Sequence, residues 1–354
     1  MSKLNFIKQL AFSIFGVGSI GPAVKTVVRP LLQCNPIIPK RPRAPNTKLV
    51  HSLFTIPRYA RFKQLRLHTP GKQEQLALDS GLYAPIAFAS TVENERIALE
   101  NRVLTEQLPA PDLPQCITWV KRHIRKLLPN IYKVNPVSFD EYISRVGSSP
   151  SVKQTLIEAH KELTLAGIDH NTILTPQQIR MWTKRSSFIK VENLLFHTLN
   201  GLKQKAPRFV QGAHPKFVVL VGPTIMAFQD LVSRRLRPGK SNSLFTSGLS
   251  SEACANHIAG KHGMTGWDDV GSFDHDERAE WGNLFVSLAK HVWHFGTAVV
   301  ALLKGNINTR GTTHNGIDYE APPMMKSGDP HTSVWNSIIT IMSHAYIFCK
   351  HFQC

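Results

Sequence analysis

From about residue 80 onward, apolar residues recur every three or four positions, the rhythm of helices that bury one face. In STVENERIALENRVLTEQL (90–108) the stripe is Ile97, Leu99, Val103 and Leu104, behind Ser90 and Glu93 in capping-box spacing. In ITWVKRHIRKLL (117–128) Ile117, Val120, Ile124 and Leu127 share one face, and Lys121, Arg122, Arg125 and Lys126 occupy the other, which reads first as solvated surface. SFDEYISRV (138–146) opens on another cap spacing, Ser138 and Glu141. KFVVLVG (216–222) breaks the rhythm, and its β-branched run predicts a buried strand. LFVSLAKHVWHFGTAVVALL (284–303) predicts one apolar helix with His291 and His294 packed into it. No internal repeat is visible, and no segment reads as a bilayer span.

The head of the chain follows a different pattern. Residues 1–70 hold twelve Lys and Arg and no Asp or Glu, two thirds of the formal charge of +18 carried by all 354 residues. Within them LAFSIFGVGSIGPAV (10–24) is an apolar run too short for a span of roughly 20 residues, and NPIIPKRPRAPN (35–46) is a Pro-rich basic linker. Such a head suits a membrane-surface or organelle-targeting segment, with a disordered basic arm as the alternative. A charge of this size makes polyanions the expected partners. The cysteines, Cys34, Cys116, Cys254, Cys349 and Cys354, include no CxxC pair, which argues against a disulfide framework or a zinc site and for a reducing compartment.

Two phosphate-binding patterns fail on inspection. GVGSIG (16–21) fits GxGxxG, but Pro22 follows and no acidic residue lies within the next fifty positions to hold a ribose. PGKS (238–241) lacks the first glycine of a phosphate loop, because Arg234 stands five positions before Gly239. The remaining chemistry falls into three clusters. Lys190, Lys203, Lys205 and Arg208 bracket the segment KRSSFIKVE (184–192) to KQKAPRFVQGAHPKFVVLVGP (203–223). WDDVGSFDHDE (267–277) sets Asp269 and Asp274 five apart, a pattern that can place two carboxylates beside one divalent cation and a nucleotide. KSGDPHTSVWN (326–336) gathers Ser327, Gly328, Asp329, Thr332 and Asn336 ahead of an apolar helix. A hydrolase built on Asp269, Asp274, His275, Asp276, His291 and His294 is a rival reading.

In this order the three clusters resemble the RNA-dependent RNA polymerases of positive-strand RNA viruses, the tombusvirus-like and nodavirus-like groups most. The resemblance runs from about 138 to 346, with APRFVQGAHPKFVVLVGP as fingers motif F, DDVGSFDHD as palm motif A and MKSGDPHTSVWNS as motif B. Ala213, where many relatives carry arginine, and Trp335, where glycine is usual, depart from it. The resemblance implies an α+β fold: right-hand polymerase fingers and a partial palm, with an antiparallel palm sheet carrying a strand at 265–270 and a hairpin leading to 326. Residues 1–70 would be the basic segment, 71–180 a helical N-terminal extension with fingers, and 181–354 the fingers and partial palm.

The implied activity is template-directed nucleotidyl transfer from NTPs with two divalent ions, Mg2+ or Mn2+. Asp269 would hold metal, and Asp274 with Asn336 would read the ribose 2′-hydroxyl. Ser327, Gly328 and Thr332 would shape the loop beside the nascent base pair, Gly328 through backbone freedom. Lys190 and Arg208 would line the NTP entry path. Partners would be template RNA, the nascent strand and NTPs, in host cytoplasm with attachment to a mitochondrial or other organelle membrane. Family members carry a Gly-Asp-Asp motif C beyond motif B, and 337–354 contain no Asp or Glu. The expectation is therefore a polymerase cut within the palm, inactive alone and partnered by a C-terminal segment with motif C and the thumb. A non-enzymatic basic RNA-binding replication or capsid-type protein is the alternative.

Overall fold

Helix α1 (Val92–Arg102) begins where Thr91, not Ser90, accepts the Asn94 amide at 3.2 Å, while Ser90 Oγ donates to Glu95 at 3.3 Å. It opens the main part of a computed structural model that describes residues 90–190, 206–259 and 273–352, together with four short strands. Those strands are β1 (Lys48–Val50), β2 (Leu65–Leu67), β3 (Ala84–Phe88) and β5 (Leu194–Phe196). The apolar run 10–24 and the linker 35–46 lie outside the described residues. The chain divides into two bodies, Met1–Ile38 with Thr246–Phe273 and Pro39–Phe245 with Asp274–Cys354. Helix α7 (Ser251–Ala259) belongs to the first body, and both sheets and the long helices belong to the second.

Four more helices precede the strand at 185–189: α2 (Leu113–Leu127), α3 (Phe139–Arg145), α4 (Pro150–Leu165) and α5 (Pro176–Trp182). Their starts follow local chemistry. Ser138 accepts the Glu141 amide at 3.1 Å, and Thr175 with Gln178 forms a full capping box ahead of Pro176. Of the stripe expected on 117–128, Ile117, Val120 and Ile124 are buried on α2 together with Cys116, while Leu127 is only partly buried.

The expected strand at 216–222 is a helix instead. His214 caps α6 (Pro215–Arg235) by accepting the Lys216 amide, and Pro215 takes the first turn, where its missing N–H is harmless. Phe217, Val219, Leu220, Val221 and Ile225 are all buried, so burial on nearly every side overrides the β-branched preference. By length and composition α6 is also apolar enough to cross a membrane, but just over half of it is enclosed by the fold.

The single helix expected over 284–303 is two, α9 (Ala279–His291) and α10 (Thr297–Asn306). The break is set by packing: Trp293 and Phe295 both turn inward, and a Cβ at Gly296 would lie 2.2 Å from the His170 carbonyl oxygen. His291 and His294 are exposed at this turn and do not pack.

The main sheet runs β1-β8-β7-β4-β6, with β4 (Arg185–Ile189), β6 (Phe209–Gly212), β7 (Thr309–Thr313) and β8 (Asp318–Ala321). The β7–β8 hairpin leads to 326 as expected, pairing Thr309 with Ala321. The sheet is nevertheless mixed, not antiparallel, because β4 and β7 pair parallel, Arg185 opposite Gly311. The long helical crossover between them permits this. The strand expected at 265–270 lies outside the described residues. A second sheet, β2-β3-β5, is antiparallel throughout.

Helix α11 (Thr332–Phe352) lays Trp335 against Phe285 at 4.7 Å, within an aromatic core that includes Phe228 and Trp293 at 4.3 Å. This core holds the start of α11 beside the short helix α8 (Phe273–Asp276).

Candidate functional site

The site is built on the strand pair β4–β6. Along β4 the buried positions alternate as Arg185, Ser187 and Ile189, so a guanidinium enters a face that ordinarily takes apolar side chains. It is paired there through its two Nη atoms, while its buried Nε has no hydrogen-bond partner among the described residues. Arg185 Nη1 lies 2.5 Å from Asp329 Oδ1, both side chains almost fully enclosed. Its other Nη donates to Asn306 Oδ1, and the guanidinium sits over the Phe217 ring at 5.1 Å. Asn306 in turn donates to Asp329 Oδ2 at 2.6 Å.

The loop before α11 is fixed by these contacts. Lys326, wholly buried, donates to the carbonyls of Asn306 and Ile307 at the end of α10, where a cation suits the helix dipole. Thr332 Oγ1 donates back to the Lys326 carbonyl at 2.8 Å, so its hydroxyl braces the loop from inside. Gly328 bridges Gly212 at the end of β6, and a Cβ on Gly328 would lie 2.6 Å from the Gln211 carbonyl oxygen. Close approach of two backbones, not the positive φ implied by backbone freedom, is what requires glycine there. Ser327 is exposed on the same loop.

The loop delivers Asn336 to Asp274. Asn336 Nδ2 donates to Asp274 Oδ1 at 2.7 Å across 62 residues of sequence. The Asp274 carbonyl accepts the Met325 amide at 2.9 Å, tying α8 to the loop through backbone as well. Asn336 Oδ1 is enclosed and has no hydrogen-bond partner among the described residues. Lys190 and Arg208 meet where the β4–β6 ladder ends, the Lys190 amide donating to the Arg208 carbonyl at 2.8 Å, with the Arg208 side chain exposed. Lys203, Lys205 and Asp269, the expected metal ligand, lie outside the described residues.

The described members of the hydrolase ligand set are not brought together as a metal site. His275 is buried on Thr105, 3.0 Å from its hydroxyl, and paired with Asp276 at 2.9 Å. Among the described residues no three His, Cys, Asp or Glu side chains are grouped to hold a metal ion.

Burial dominates the electrostatics. It raises the Asp274 carboxyl, against the Asn336 hydrogen bond and with help from the Asp329 charge. Burial would raise Asp329 too, but Arg185 foremost, with His331, Lys326 and Asn306, holds it below its ordinary value. Burial pulls Lys326 down to about 7 and His331 down to about 4. Glu277, which sequence reasoning passed over, is pushed up to about 8 by burial and then by the Asp274 charge. Glu277, Lys326, Asn306, Asp329, His331 and Trp335 line part of a cavity of about 30 Å³, room for a water or two. Arg185, Asn306 and Lys326 were missed as well, although an arginine alternating with Ser187 and Ile189 on a strand was a usable signal.

No protein-family model and no curated protein matches the chain.

The buried charges carry two testable consequences, one for stability and one for its pH dependence. Arg185→Met strands the Asp329 carboxylate, so urea unfolding should show a loss of roughly 3–5 kcal/mol. The double variant Arg185→Met/Asp329→Leu should recover at least half of it. Additive losses would show that the two residues do not act as a pair.

The pH dependence turns on Glu277. A carboxyl whose folded pKa is about 8 keeps, in the fold, a proton that the unfolded chain gives up near its ordinary value of 4.5. Its contribution is full at low pH and is lost as pH rises toward about 8. Lys326 acts oppositely and above it, since stability rises with pH from about 7. His331, held down to about 4, also acts oppositely, adding stability as pH rises from there to its ordinary 6.5, so the two groups oppose each other over much of this range. Glu277→Gln should therefore make the melting temperature rise more, or fall less, between about pH 5 and about 7 than in the unaltered chain. A pH profile unchanged by the substitution over that interval would remove Glu277 as a contributor.

Proposed function

We propose that this chain carries the fingers and part of the palm of an RNA-directed RNA polymerase, with Asp274 and Asn336 as the part of its nucleotide site that reads the ribose. The observation that carries this reading is the 2.7 Å hydrogen bond between them. They come from two separate stretches of sequence to which the resemblance gives one shared task. The bridge from Gly328 to Gly212 supports it further, setting the Ser-Gly-Asp loop against the same strand pair whose other end carries Lys190 and Arg208.

The chemistry suits the task. A 2′-hydroxyl both donates and accepts, and a carboxylate beside an amide offers it both partners. A deoxyribose would leave the pair without that contact. Mg2+ or Mn2+ would neutralise the triphosphate, and Asp269 is the residue assigned to that ion. A planar guanidinium at Arg208 suits both base stacking and phosphate pairing along the entry path. A basic RNA-binding protein without a nucleotide site would share the charge of +18 but show no preference for one ribose.

Titration of the chain with GTP and with dGTP, in MnCl2, separates these readings. GTP should bind roughly 3- to 10-fold more tightly, the worth of one net hydrogen bond. Asn336→Ala should bring that ratio to about one while leaving dGTP affinity little changed. Equal binding of the two nucleotides by the unaltered chain, or no binding of either, would overturn the proposal.

A further inference from the structure

The face of α2 that points away from the core has a chemistry that the nucleotide site does not use. Lys121, Arg122, Arg125 and Lys126 are all exposed, and among the described residues none of the four has a hydrogen-bond or ion-pair partner. At 100° per residue they fall within an arc of about 140°, over about 7.5 Å of helix axis. No acidic residue lies on the helix, and Asp112 at its start is engaged by Lys350 at 3.1 Å. Four like charges this close repel one another, and only Arg125 and Lys126, in the last turn, are favoured by the helix dipole. Along one edge of the arc Trp119 and His123 stack at 4.2 Å, both half-exposed, with Tyr346 of α11 6.0 Å from Trp119.

We propose that this face of α2 is a docking surface for the phosphate backbone of RNA, with the Trp119–His123 edge offering ring faces to unpaired bases. A closely spaced set of unpaired cations neutralises successive phosphates, and the outer face of a stacked aromatic pair can stack on a base of any identity. The same observations disfavour an anionic membrane. A helix that lies on lipid presents its apolar residues outward, whereas Cys116, Ile117, Val120 and Ile124 are buried in the fold, where α2 packs against α9 and α11. This deepens the RNA reading by naming a surface for it, but it does not depend on the nucleotide site.

The test is the salt dependence of binding of the whole chain to a single-stranded RNA homopolymer. Two quadruple variants lose equal charge: Lys121→Ala/Arg122→Ala/Arg125→Ala/Lys126→Ala, and the exposed but scattered Lys161→Ala/Arg234→Ala/Lys290→Ala/Lys304→Ala. In the helix variant the slope of log K against log salt should shrink by about 3, as for four lost single-strand phosphate contacts, with affinity at least about tenfold lower near physiological salt. The scattered variant should keep most of both. Equal losses in the two variants would mean that net charge alone attracts RNA and would overturn the proposal. So would a helix variant that keeps its RNA affinity and instead loses binding to vesicles containing phosphatidylserine. Absence of helix-dependent RNA binding alongside an intact GTP preference would sink this surface alone, and the converse would sink only the nucleotide site.

Discussion

The ion pair between Arg185 and Asp329 is the contact on which the rest of the site depends. Two opposite charges lie 2.5 Å apart with almost no exposure to solvent. Either one alone in that interior would be strongly unfavourable, and together they are tolerable only because Asn306 bonds to both. The three residues belong to β4, to the end of α10 and to the loop before α11. The pair thus joins a strand, a helix terminus and a loop that have no covalent reason to meet. Once Asp329 is fixed, Gly328 has to touch β6, Thr332 has to start α11, and Asn336 arrives one turn later at Asp274.

Around that pair the interior holds more ionisable groups than stability alone explains. Lys326 and His331 flank Asp329, and Glu277 shares their cavity. Hydrophobic replacements of similar volume often stabilise such clusters, so their value lies in geometry. A carboxylate that accepts from two directions fixes a loop more narrowly than apolar contact does. For a residue such as Asn336, which must hold a hydrogen bond within a few tenths of an ångström, narrow placement is the useful property. Burial of Glu277 also leaves a neutral carboxyl near Asp274, which spares that residue a second adjacent negative charge.

Much of this was legible in the sequence, for identifiable reasons. The helix over 113–127 shows in its stripe and the cap at Ser138 in its spacing, because both are local. The partnership of Asp274 with Asn336 came from the resemblance, since no periodicity links positions 62 apart. Where reading failed, tertiary packing had overridden local preference. The Val-rich run at 217–221 enters a helix because it is enclosed on nearly every side, and the apolar stretch at 284–303 breaks because Trp293 and Phe295 both need the core. Arg185, Asn306, Lys326 and Glu277 were passed over because a charge or amide in a sequence carries no sign of burial. Their role exists only once three distant segments are folded together.

The central claim is that Asp274 and Asn336 together contact a ribose hydroxyl. Its most direct test is to label the asparagine side-chain amides of the whole chain with 15N and assign the Asn336 resonance by its loss in Asn336→Ala. The amide is then followed by NMR as saturating GTP or dGTP is added. The Asn336 amide should shift with GTP and move far less with dGTP, while the enclosed Asn306 amide stays in place with both. Equal shifts with the two nucleotides, or an Asn336 amide indifferent to GTP at saturation, would contradict a contact with the ribose hydroxyl.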